Sequence, residues 1–133
     1  MNERKIMPKP SPAAAAQQGV VIIEVLVAIL VFSVGVLAIV GLQAAMIKST
    51  ADAKYRADAS YIAQSRIGRI WADPANAASY VETNTDISTL LPSGTRTVAS
   101  LGNGLYQVTV TWQQPGPNPA VHNFMTTASV TGG

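Results

Sequence analysis

The sequence predicts an α+β protein, one long N-terminal helix packed on a small antiparallel β-sheet, and three observations carry that prediction. Residues Val20–Leu42 form a run of 23 residues whose only strongly polar members are Glu24 and Ser33. Residues 43–71 contain no proline and repeat apolar side chains at three- and four-residue spacing. In Leu105–Gln113, Tyr106, Val108, Val110 and Trp112 alternate with Gln107, Thr109, Thr111 and Gln113, which is the period of a half-buried strand.

Composition bounds the reading. The chain has 133 residues, enough for one domain, with 48% hydrophobic and only 12% charged residues. Soluble domains carry about 25% charged residues, and the apolar excess here is concentrated in Val20–Leu42. The net charge of +2 resides in the first 19 residues, where Arg4, Lys5 and Lys9 outweigh Glu3; beyond Gly19, six bases meet six acids. A nucleic-acid surface needs clustered, uncompensated bases, so none is expected. The chain has no cysteine, which removes disulfides, thiolate metal sites and thiol nucleophiles.

Met1–Gly19 reads as a polar, basic leader. Pro8, Pro10 and Pro12 oppose regular structure, and a short flexible tail is expected. As a helix, Val20–Leu42 is about 34 Å long at about 1.5 Å per residue, which matches the roughly 30 Å hydrocarbon core of a bilayer. Gly35 and Gly41 are tolerated there or at close helix contacts. The same helix is expected to continue to Trp71. Ile47, Ala51, Tyr55, Ala59, Ile62, Ala63, Ile67, Ile70 and Trp71 make one apolar stripe, and Lys48, Asp52, Arg56, Ser60 and Gln64 make a polar one. Asp52 with Arg56, and Lys54 with Asp58, are spaced to pair. Pro74 ends the helix.

The domain from Asp73 to Gly133 reads as three strands. Thr95–Leu101, Leu105–Gln113 and His122–Val130 are joined by a turn at Gly102-Asn103-Gly104 and a loop at 114–119. Leu90-Leu91-Pro92-Ser93-Gly94 reads as a buried contact followed by a turn, while Asp73-Pro74, Asn76 and Asn84–Ser88 read as loop. Phe124, Thr126, Ala128 and Val130 share one face, and Trp71 and Trp112 are expected to pack between helix and sheet.

Three readings compete for the N-terminus: a cleaved secretory signal, a plain membrane anchor, and cleavage before the apolar run. A secretory signal has a core of about 7–15 apolar residues followed by a small-x-small site; this run is longer, and Val36-Leu37-Ala38 lies inside it. For a plain anchor, Lys48, Lys54 and Arg56 balance the three leader bases, so charge bias does not orient the chain. For the third, the stretch Gln17-Gln18-Gly19-Val20-Val21-Ile22-Ile23-Glu24-Val25-Leu26-Val27-Ala28 resembles the N-terminus of type IV prepilins: a glycine, an apolar first mature residue, and a glutamate fifth from it.

Within that family the chain is most similar to minor pilins of the PilV type. The likeness rests on Glu24–Ala28, Ser33–Leu37, Gly41–Ala44, Ala63-Gln64, Ala72-Asp73-Pro74, the Val108–Gln113 strand and Pro115-Gly116. It departs from many prepilins in having Val20 and Val21 where Phe or Met and Thr are frequent, in bases set well upstream of Gly19, and in lacking a paired-cysteine C-terminal loop. The resemblance implies that a prepilin peptidase cuts between Gly19 and Val20 and that Val20 is N-methylated. It also implies that Glu24 pairs with the N-terminal amine of a neighbouring subunit during assembly. The partners so implied are other major and minor pilins, inner-membrane lipid and the pilus assembly platform. The C-terminal domain would stand in the periplasm, and the subunit would enter the pilus. A minor pseudopilin of type II secretion, and a membrane-anchored periplasmic binding module that never polymerises, are the alternatives.

No enzyme and no cofactor are expected. His122 is the only histidine, without a metal-binding partner, and reads as a strand-start residue. Asp73, Glu82 and Asp86 lie among turn formers and read as capping and solvated groups. Glycines 94, 102 and 104 lack phosphate-loop spacing, and no nucleophile–base–orienter set is present. A carboxylate in a membrane helix marks a candidate functional residue. At Glu24, about 6 Å along the axis from Val20, the competing reading is a glutamate that reaches the headgroups and faces the positive end of the helix dipole.

Overall fold

The computed structural model describes residues 4, 6–9 and 12–131, with the side chains of 12–15 excepted. The element order is α1 (Pro12–Ala72), a 3₁₀ helix η1 (Pro74–Tyr80), β1 (Glu82–Asp86), β2 (Thr95–Gly102), β3 (Leu105–Gln113) and β4 (Val121–Ser129). The chain divides into two compact units, Met1–Met46 and Ile47–Gly133, and α1 runs through the division.

The first unit is the leader and the apolar part of α1. The helix begins at Pro12 and not at Val20, so the leader's last residues are helical where a flexible tail was expected. The physical reason is in the sequence: Ala has the highest helix propensity, four alanines follow Pro12, and proline at the first helical position is pre-set in φ with no donor to lose. Residues 1–3, 5, 10 and 11 of the expected leader lie outside the described residues.

The second unit is the expected α+β body. Its core holds Ala59, Ile62, Ala63, Ile67 and Ile70 from α1, Ala77 from η1, Ile87 and Leu91, and Val98, Tyr106, Val108, Val110 and Trp112 from the sheet. The helix residues are the interior of the predicted stripe. Small alanines at positions 59 and 63 let the helix backbone approach the sheet, and the β-branched strand residues fill the pleated surface. Both ends of the stripe differ from expectation. Ile47 is 72% and Trp71 57% exposed. Trp71 lies about 100° around the helix from buried Ile70 and reaches the sheet margin, where its Nε1 donates to the Ser129 carbonyl at 3.1 Å. Trp112, in contrast, is buried as expected.

The sheet has four antiparallel strands in the order β1-β2-β3-β4, one more than expected. The added strand, β1, falls where Asn84–Ser88 reads as loop. Its sequence, Glu-Thr-Asn-Thr-Asp, mixes two threonines with three residues that strands disfavour. It pairs through a register shift between Glu82 and Thr85, with Asn84 at φ 47°. Such a bulge suits an edge strand. The Gly102-Asn103-Gly104 turn is found as predicted, with φ of 86°, 54° and 73°. Gly104 must lack a Cβ, which would stand 2.7 Å from the Val130 carbonyl oxygen. Of the Leu90–Gly94 segment, Leu91 is buried and Leu90 exposed, and the Gly94 amide closes the turn onto the Leu91 carbonyl at 2.9 Å.

Candidate functional site

In the first unit, the positions singled out from sequence are Gly19, Val20 and Glu24, and all three lie in α1. A four-residue step returns to the same helix face, so Val20 and Glu24 share one face a turn apart. Glu24 is exposed and has neither a hydrogen-bond nor an ion-pair partner among the described residues. Around it, the large apolar side chains of Val20–Leu42 are exposed on every side of the helix, from Val36 at 42% to Phe32 at 73%. The one hydroxyl in the run is satisfied internally: Ser33 Oγ donates to the Ile29 carbonyl at 2.7 Å. This is the surface expected of a helix whose solvent is lipid or other apolar helices, since backbone groups are paired within the helix and, Glu24 apart, the outer surface is hydrocarbon. By length and composition this helix can cross a membrane.

Gly35 and Gly41 are open on the helix surface: a Cβ built at either meets nothing within 4 Å. They leave notches where another helix backbone can approach.

In the second unit the structure assembles a cluster that the sequence reading missed. Glu82, at the start of β1, accepts from Arg96 of β2 and lies 3.1 Å from Arg66 of α1. Thr85 Oγ1 donates to the same carboxylate at 3.0 Å. The Arg66 guanidinium also donates to the Tyr80 carbonyl at 3.4 Å and stands 5.1 Å from the centre of the Tyr80 ring. Burial of Glu82 opposes its charge, but the hydrogen bonds from Arg96 and Thr85 and the two guanidinium charges outweigh it, so its pKa lies below the usual carboxylate range. Burial lowers the pKa of Arg66, against the raising effect of Glu82. The cluster ties α1, η1, β1 and β2 together. Glu82 is therefore a structural ion-pair centre, and the expectation that it is a solvated turn residue is corrected. Its signal was unreadable from sequence because the three charges are brought together by tertiary structure alone.

The other two acids are local, as expected. The Asp86 carboxylate accepts from the Ser88 amide at 2.8 Å, which lowers its pKa. Asp73 accepts from the Asn76 side chain at 2.9 Å. Among the described residues no group of three or more His, Asp or Glu could hold a metal ion. His122 starts β4's inner face and stacks on Trp112, ring centres 5.6 Å apart. An open groove of about 610 Å³ runs along Gln64, Ile67 and Trp71 and residues 126–129, and no charged side chain lines it. Of the expected helix pairs, Asp52–Arg56 forms at 3.2 Å, while Lys54–Asp58 does not.

No family model, curated protein or solved structure matches the chain.

Proposed function

We propose that this chain is the precursor of a membrane-inserted filament subunit of the type IV pilin class, a minor pilin of the PilV type. The observation that carries the reading is the apolar run Val20–Leu42, exposed on all sides, with a single carboxylate one turn from Val20. Exposed apolar area on this scale is unstable in water, where each buried Å² contributes about 25 cal/mol. It is stable in a bilayer, and equally in a bundle of like helices, so one surface serves both a membrane pool and a filament.

On this reading a prepilin peptidase cuts between Gly19 and Val20, and Val20 becomes an N-methylated amine. Glu24 then pairs with the amine of a neighbouring subunit. Two charges that are each costly in an apolar medium become tolerable together, which sets register while hydrocarbon contact supplies cohesion. The subunit waits in the inner membrane with the body of the second unit in the periplasm. It is drawn into the pilus by the assembly platform together with other major and minor pilins.

The intact mass of the mature chain from its native cells tests this. A chain that begins at N-methyl-Val20 supports the proposal. A chain that begins at Met1 or Asn2 refutes it in favour of a permanently anchored module.

A further inference from the structure

The two edges of the sheet are built differently. β1 is five residues long, bulged, and carries Glu82 and Asp86, all features that discourage further pairing. β4 is nine residues long and regular along its whole ladder with β3, and it carries no charged residue. The Val130 amide donates to the Gly104 carbonyl at 2.7 Å. Because an antiparallel ladder alternates, the even-numbered residues of β4 bond to β3. The amides and carbonyls of Val121, Asn123, Met125, Thr127 and Ser129 then point away from the sheet. Of these groups, the Ser129 carbonyl is the one taken, by Trp71 Nε1. All five residues are exposed, Val121 at 68% and Met125 at 54%.

We infer that the free edge of β4 pairs with β4 of a second copy of this chain, antiparallel and two-fold symmetric about Met125. The geometry of β4 itself favours this occupant. The centre of the nine-residue strand is Met125, which is itself an outward-bonding residue. Full two-fold overlap therefore sets Met125 opposite Met125, Asn123 opposite Thr127 and Val121 opposite Ser129, every one a pair with bonding groups facing each other. Had the strand an even number of residues, its centre would fall between two of them, and full overlap would set outward-bonding groups against groups already committed to β3. The three inner pairings supply about six hydrogen bonds, two for each hydrogen-bonded pair. Charge agrees: a neutral edge meets a neutral edge, whereas β1 paired with itself would bring its acids together. The contact also covers the exposed side chains of Met125 and Val121. The inference needs only the sheet and is independent of the filament reading.

The cysteine-free chain makes the register directly measurable. Single variants Asn123→Cys, Met125→Cys and Thr127→Cys are made in the full chain, purified in detergent micelles and oxidised mildly. One batch carries a mass tag so that mixed dimers are resolved. Paired residues in such a ladder have Cα atoms about 5.5 Å apart, within the roughly 4.4–6.8 Å that a disulfide spans. Met125→Cys alone, and the mixture of Asn123→Cys with Thr127→Cys, are expected to crosslink. Asn123→Cys alone and Thr127→Cys alone should do so about tenfold less, because like positions would lie about 13 Å apart at 3.3 Å per residue. Equal crosslinking at all positions, or none at any, overturns the inference. So does crosslinking of Asn123→Cys alone as strong as that of its mixture with Thr127→Cys.

Discussion

Arg66 and Glu82 stand 3.1 Å apart, each side chain about 15% exposed, and join the amphipathic part of α1 to the first strand of the sheet. Arg96 holds the same carboxylate from the other side. Because the folded pKa of Glu82 lies below its ordinary value of 4.5, the folded state binds this proton less readily than the unfolded chain. Its contribution to stability is fully present above pH 4.5 and is lost as pH falls through the folded pKa. Unfolding midpoints of the full chain in detergent should therefore fall on acidification below about pH 4.5. Glu82→Gln should flatten that fall and cost about 1–3 kcal/mol at pH 7, since it leaves two guanidinium groups facing each other. A wild-type acid profile unchanged by the substitution would exclude this role.

The buried indole of Trp112 makes no hydrogen bond through Nε1. Its contribution is packing, and Trp112→Phe gives up bulk without orphaning a partner. Thermal melts should show Trp112→Ala costing about 3–5 kcal/mol, against less than about 2 for Trp112→Phe. Equal losses would mean that the polar end matters.

Two glycines should respond with opposite signs. A Cβ at Gly94 would stand 2.9 Å from both Cβ and carbonyl oxygen of Leu91 and 3.0 Å from Ile87. Gly94→Ala is expected to lose about 1–3 kcal/mol through overpacking. Gly68 lies inside α1 with nothing within 4 Å of its would-be Cβ. Gly68→Ala should gain up to about 1 kcal/mol from helix propensity. Denaturant titration of both variants checks the pair.

Asp52 accepts from Gln114 of the β3–β4 loop at 2.8 Å and from Arg56 at 3.2 Å. These groups are partly solvated, so Gln114→Ala should cost less than about 1 kcal/mol. Limited proteolysis at residues 114–119 should nonetheless quicken, because the loop loses its tie to the helix.

For the proposed filament role, Glu24→Ala should leave the membrane-bound amount of the chain unchanged or raised, since it removes a charge from an apolar run. It should reduce the amount in sheared pili. Normal incorporation would refute the pairing role of Glu24.

The helix, its stripe and the Leu105–Gln113 strand were legible because each is a local periodicity. Ala59, Ile62, Ala63, Ile67 and Ile70 are buried where spacing put them. β1 was not legible, because Glu82–Asp86 is a strand by virtue of its neighbour β2 and not of its own composition. Trp71 was misplaced for a related reason: hydrophobic character alone does not tell a core position from one that laps over a sheet edge. Gly19, Val20 and Glu24 were read from a motif. The structure adds that Val20 and Glu24 share a helix face.

Because α1 starts at Pro12, Gly19 and Val20 are its eighth and ninth residues. The peptide bond between Gly19 and Val20 lies well within a run of i to i−4 hydrogen bonds. A protease binds its substrate as an extended strand, and a closed helical turn does not present its carbonyl for attack. On the proposed processing, cleavage there would require the segment to melt first, and Gly19, about 1 kcal/mol poorer than alanine in a helix, would favour that melting. The alanines upstream would then act as a brake on maturation, and their number would tune its rate.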